Sequence, residues 1–141
     1  MSVRMLFICV HNSARSQMAA AFANHYGEGK VLADSAGLEP GVLNQRVVAV
    51  MKEIGIDISM NVPKSVMEVY KSGAQFDYIV TVCDPKAAER CPIFPGNAVK
   101  MHWGFDDPSR LTGGETEIMT EVQRIRDEIR EKVAQWIKEE L

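Results

Sequence analysis

The chain has 141 residues, 46% of them apolar, with 16 Lys+Arg against 19 Asp+Glu and three cysteines. That length suits one domain over residues 1–141, large enough to bury roughly two-thirds of its unfolded surface without a disulfide framework or a metal staple. The net charge of −3 argues against a nucleic-acid binder, no apolar run reaches the roughly 20 residues of a membrane span, and the short apolar run after Arg4 does not read as a signal peptide.

Val3 to Cys9 is a dense apolar run of strand formers and reads as a buried parallel strand. Ser16 to Tyr26 turns to Ala, Met, Gln and Phe, which predicts a helix with Met18, Phe22 and Ala21 facing inward. Lys30 to Ser35 reads as a second strand. Asn44 to Ile54 places Val47, Val50, Met51 and Ile54 at three- and four-residue spacings, an amphipathic helix. Ser65 to Lys71 reads as a shorter helix. Phe76 to Cys83 and Ala98 to Trp103 are two further buried strands, the last with Val99, Met101 and Trp103 alternating.

Beyond the loop Thr112-Gly113-Gly114, Ile118, Val122, Ile125, Ile129, Val133 and Ile137 mark one stripe of a long helix reaching Leu141. Residues 1–114 carry eleven basic and eleven acidic side chains, so the whole acid excess lies on the solvated face of this helix. Strands alternating with helices predict an α/β fold, a four-stranded parallel sheet with helices on both faces. Ligands of such sheets bind beyond the C-terminal ends of the strands, where Cys9 and Cys83 both fall. The expectation is a soluble, cytoplasmic chain whose three thiols are reactive or buried rather than bridged.

The segment Cys9-Val10-His11-Asn12-Ser13-Ala14-Arg15-Ser16 passes from strand to helix within a few residues. Such a turn points backbone N–H groups and the positive helix end into one concavity that holds a tetrahedral oxyanion. The loop residues Val10, His11, Asn12, Ser13, Ala14, Arg15 and Ser16 form the expected oxyanion cradle. Arg15 offers a planar fork to two anion oxygens, and Cys9 at the rim is the expected nucleophile toward the central atom. With this composition, a cysteine followed six residues on by Arg-Ser arises by chance about once in a hundred chains. His11 with Cys9 is not a zinc pattern, so no metal is expected there.

Cys83 and Cys91 flank a polar segment, Asp84-Pro85-Lys86-Ala87-Ala88-Glu89-Arg90, expected to be mobile. By position alone they are either a thiol relay, Cys91 attacking a sulfur at the strand end, or two small buried hydrophobes. Asp106-Asp107-Pro108 after the last strand offers either a general acid or ordinary turn chemistry.

Taken together, the chain resembles the low-molecular-weight protein tyrosine phosphatase fold and, within it, the thioredoxin-coupled arsenate reductases. The resemblance rests on Cys9-x5-Arg15-Ser16-Gln17-Met18-Ala19, Asp34-Ser35-Ala36-Gly37, Gly55-Ile56-Asp57-Ile58-Ser59, Val82-Cys83, Cys91-Pro92-Ile93 and His102-Trp103-Gly104-Phe105-Asp106-Asp107-Pro108, and spans nearly the whole length. It implies that Cys9 attacks arsenate held by the loop and Arg15, with Asp107 assisting departure of an oxygen. It further implies that Cys83 attacks the Cys9 sulfur and releases arsenite, and that Cys91 then attacks Cys83 and carries a redox-active disulfide to reduced thioredoxin. A monomer is expected.

Relatives that bind potassium beside the loop use an Asn, a Ser, a Glu and an Asp. Asn12 and Ser35 match, but Ala20 and Lys64 stand where the acids would be, which counts against a potassium ion and leaves the Lys64 ammonium to supply its charge. No other cofactor is expected. The alternative activity is hydrolysis of phosphoesters through a Cys9 phosphoenzyme. Ser109 counts against it, standing where tyrosine phosphatases of this fold usually carry Tyr. A non-catalytic oxyanion-binding or redox-sensing protein would leave the acid and the three thiols without a role.

Overall fold

The computed structural model describes every residue except Met1, Pro92, Ile93 and Pro95. Four strands, β1 (Val3–Cys9), β2 (Val31–Gly37), β3 (Tyr78–Thr81) and β4 (Val99–His102), form one all-parallel sheet in the order β2-β1-β3-β4. β1 is central, with Phe7 opposite Ser35 on one side and Val80 on the other. Its run from Met5 to Cys9 is buried throughout, as a strand covered on both faces requires.

Helix α1 (Arg15–Tyr26), α2 (Gln45–Glu53) and the long α5 (Glu115–Glu140) share one core with Met5, Phe7 and Cys9. Short α3 (Val66–Lys71) packs with Leu6, Ile8 and Phe76 on the opposite face. The alternation of β1 side chains between these two cores is the period-two rule of a pleated strand. α2 begins where the Asn44 carboxamide accepts from the N–H groups of Arg46 (2.9 Å) and Val47 (3.2 Å), and α3 where Ser65 accepts from Met67 (3.1 Å). These are N-caps that satisfy otherwise orphaned donors. Past α2, Gly55 adopts φ +83°, the left-handed exit that glycine makes without strain. The stripe of α5 buries Val122, Ile125, Ile129, Val133 and Ile137, while Ile118 at its start is half-buried.

Two expectations are corrected. β4 is an edge strand and not a buried one: Val99 is 52% exposed, and only Trp103, just beyond the strand, is buried, against Phe7 and Trp136. The cause is topological, since β4 pairs with β3 alone. In α1, Ala21 is only half-buried and Ala19 and Ala23 face the core with Met18 and Phe22. Between Cys83 and Cys91 the chain makes one helical turn, α4 (Pro85–Ala88), with proline in the first turn where its missing N–H costs nothing. The Pro92-Ile93 pair of the third-cysteine motif lies outside the described residues.

From β1 the chain crosses to β2 on one side and later to β3 on the other. The crevice between the C-terminal ends of β1 and β3 is therefore the switch point at which such sheets bind ligands.

Candidate active site

The loop after β1 is built from its backbone outward. The carbonyls of Cys9, Val10, His11 and Ser13 accept from the N–H groups of Leu38 (3.1 Å), Glu39 (2.7 Å), Gly41 (2.9 Å) and Asn44 (2.9 Å). In a trans peptide the N–H points opposite to the C=O, so tying these carbonyls to the β2–α2 connection turns the following N–H groups the other way, into the concavity. Asn12 takes φ +52°, a conformation Asn tolerates better than most residues. Its N–H donates to Cys9 Sγ at 3.2 Å.

Four polar side chains at this turn are buried, Asn12, Arg15, Ser16 and Gln17, and each has a partner, as burial demands. Asn12 Nδ2 donates to Ser16 Oγ (2.7 Å), and the Ser16 hydroxyl and Cys9 Sγ share a hydrogen bond at 2.8 Å. Gln17 Nε2 donates to the carbonyl of Asn12 (3.1 Å) and to its Oδ1 (3.2 Å), and Gln17 Oε1 accepts from Asn61 (3.0 Å). The Asn12 N–H and the Ser16 hydroxyl thus both contact the Cys9 sulfur.

Arg15 heads α1 with its side chain 6% exposed. One terminal nitrogen donates to the Phe105 carbonyl at 3.0 Å and the other lies 3.6 Å from Asp107 Oδ2. Asp107 also accepts from the Ser109 N–H (2.9 Å), capping a 3-10 turn at Pro108–Arg110. Asp106 turns outward to Arg124 on α5 at 3.1 Å. Of the two adjacent acids, only Asp107 therefore reaches the Cys9 side of the sheet end. Turn chemistry and proximity to the site are both present in this one carboxylate.

Cys83 follows β3 by two residues, is fully buried and lies in the same core as Cys9. Burial pushes its thiol pKa up and a charged Cys9 adds to that, while Arg15 pulls it down. The two sulfurs therefore sit within electrostatic reach of each other and of one guanidinium. Cys91 is half-buried and packs on the opposite face of the sheet, against the core that holds Ile79 and Phe94. The structure brings Cys9, Arg15, Asp107 and Cys83 together and leaves Cys91 apart.

Within the loop, the His11 ring donates through Nδ1 to the Glu39 carbonyl (2.9 Å) and stacks against Gly41, so it faces away from Cys9. Val10, Ser13 and Ala14 contribute backbone. Residues the sequence did not single out for a task are Gln17, Asn61 and the Phe105 carbonyl. Gly37 belongs with them: a Cβ there would lie 2.8 Å from the Asn12 nitrogen, so only glycine lets β2 approach the loop this closely. A run of polar residues inside an otherwise apolar helix start was the available signal for Gln17. Nothing local marks Asn61.

Ala20, Ser35, Asp34 and Lys64 line one cavity of about 260 Å³ beside the loop. Asn12 Oδ1 already accepts from Gln17 and from the Lys64 N–H (3.0 Å), and the Lys64 ammonium pairs with Asp34. A potassium ion does not fit this set: Ala20 offers no oxygen, and a cation side chain is already in place.

A model of the low molecular weight phosphotyrosine protein phosphatase family matches residues 4–141. The chain belongs to that family. Within it, the chain is 41% identical to an arsenate reductase of Bacillus subtilis over 130 residues, 92% of this chain and 91% of that one. Among solved structures it resembles an arsenate reductase of Archaeoglobus fulgidus, with a TM-score of 0.75 and 30% identity over 95% of this chain and 98% of that one. It also resembles a thioredoxin-dependent arsenate reductase of Corynebacterium glutamicum, with a TM-score of 0.63 and 29% identity over 94% of this chain and 62% of that one. The four-stranded parallel sheet and the strand-end loop are thus the family's own architecture, as the sequence expected. Among the described residues, no helix is long and apolar enough to cross a membrane.

Proposed function

We infer that this chain reduces arsenate to arsenite and that a thioredoxin-like dithiol protein regenerates it. The observation that carries the reading is Cys83, buried at the end of the strand beside that of Cys9 and within electrostatic reach of its sulfur. Hydrolysis of a phosphoester needs one thiol; a two-electron reduction needs a second that can reach the first.

Arsenate sits on the loop N–H groups with two oxygens on Arg15. Cys9 attacks arsenic, and one oxygen leaves as water with a proton from Asp107. The Cys83 thiolate then attacks Cys9 Sγ. The sulfur–arsenic bond breaks with its electron pair staying on arsenic, which departs as arsenite, and a Cys9–Cys83 disulfide forms. Cys91 next attacks Cys83 and frees the Cys9 thiolate, leaving Cys83–Cys91 for the external dithiol to reduce. Because Cys91 rests on the other sheet face, this last step requires residues 84–91 to rearrange. All these groups come from one chain, and a cytoplasmic setting would keep the three thiols reduced.

The test is a single turnover without external reductant, assayed for arsenite and mapped by mass spectrometry. The expected result is about one arsenite per chain with two hydrogens lost between Cys83 and Cys91, and a Cys91→Ser variant that stops as Cys9–Cys83. Three intact thiols and brisk phosphoester hydrolysis would make the chain a phosphatase instead.

A further inference from the structure

A separate cavity lies over the edge of the sheet. It encloses about 290 Å³ between β3, β4 and α4 and opens to solvent past exposed Lys100 and His102. Its apolar wall is Ile79, Ala88 and Met101, and Cys91 and Lys100 both line it.

We propose that Lys100 is a positioning residue for the relay: its ammonium, on the edge strand and lining the same cavity as Cys91, offsets part of the cost of forming the third cysteine's thiolate. The proposal rests on the relay reading above. A half-buried thiol loses its solvation when it ionises. A fixed cation across an apolar gap returns part of that cost, and does so more strongly than in water.

The electrostatics agree, since burial pushes the Cys91 thiol pKa up and Lys100 is the charge that pulls it down. The other charged groups nearby are otherwise engaged. Arg90, next in sequence, pairs with Glu39 at 2.9 Å, Glu89 is exposed, and the His102 ring bonds through Nδ1 to the Thr81 hydroxyl at 2.7 Å. Among the described residues Lys100 has no carboxylate partner, so its field is not cancelled. An edge strand with one free side is where such a lysine can line the cavity beside Cys91 and still be solvated.

The Cys91 proton leaves to solvent through the open side of the cavity before residues 84–91 rearrange and carry the sulfur to Cys83. The thiolate forms the bond to Cys83, and the electron pair of the broken Cys9–Cys83 bond returns to Cys9.

Alkylation of the fully reduced protein tests this without arsenate, so a protein that failed to reduce arsenate would still report on Lys100. Iodoacetamide labelling of Cys91 is followed by peptide mass spectrometry across pH, with Cys9 labelling as internal control. Lys100→Met should slow Cys91 labelling at pH 7 by about threefold or more and move its pH midpoint upward. The alkaline plateau and Cys9 should stay unchanged, and Lys100→Arg should restore the wild-type profile. An unmoved midpoint in Lys100→Met would overturn the proposal. So would a changed plateau, which means access rather than charge, or a Lys100→Arg protein that behaves like Lys100→Met.

Discussion

The loop from Cys9 to Ser16 and the segment from Asp84 to Cys91 each carry a cysteine, yet they are held in opposite ways. Four loop carbonyls are tied to residues 38–44, 25 or more positions along the chain, and Asn12, Arg15 and Ser16 are buried with partners. The second segment bonds mainly to itself. The N–H groups of Ala88, Arg90 and Cys91 return to Asp84, Ala87 and Ala88, α4 buries no residue, and the Arg90–Glu39 pair lies in solvent. An anion site must not relax around its charge. A sulfur that has to cross from one sheet face to the other must be cheap to release. Each region has the amount of anchoring its task calls for.

Breaking the anchored region should cost most. Arg15→Lys removes the fork and the bond to Phe105, and single-turnover arsenite release should fall by about a hundredfold or more with the fold retained by circular dichroism. A rate within a few-fold of wild type would mean that the backbone N–H groups alone hold the anion.

Next, Gly37→Ala and Arg90→Gln set the two regions side by side. The alanine methyl would press on the Asn12 nitrogen, and chemical denaturation should show a loss of about 1–3 kcal/mol. Loss of the exposed Arg90 pair should cost under about 1 kcal/mol. Equal losses would erase the contrast.

The smallest effect is on pH. Burial raises the thiol pKa values of Cys83 and Cys91. A group whose folded value is raised contributes stability that is complete below its unfolded value, ~8.5, and lost as pH rises above it. Reduced wild-type protein should therefore lose stability as pH rises above about 8.5, and Cys83→Ala should lose less over the same range. A flat wild-type curve would mean that the burial does not disfavour the thiolates.

Local sequence was enough for much of this. The apolar run Val3–Cys9, the periodic stripe of α5 and the Cys9-x5-Arg15-Ser16 spacing each express a rule acting over a few residues, and all three appear in the structure where the sequence put them. The edge position of β4, by contrast, could not be read from Val99, Met101 and Trp103, because alternation looks the same with one neighbour or two. The requirement for glycine at 37 and the separation of Cys91 from Cys83 across the sheet also escaped a linear reading. They depend on which segments meet. A strand's period is a property of its own backbone, whereas the charge that a carboxylate faces and the side of the sheet that a sulfur rests on are set by chain segments tens of residues away.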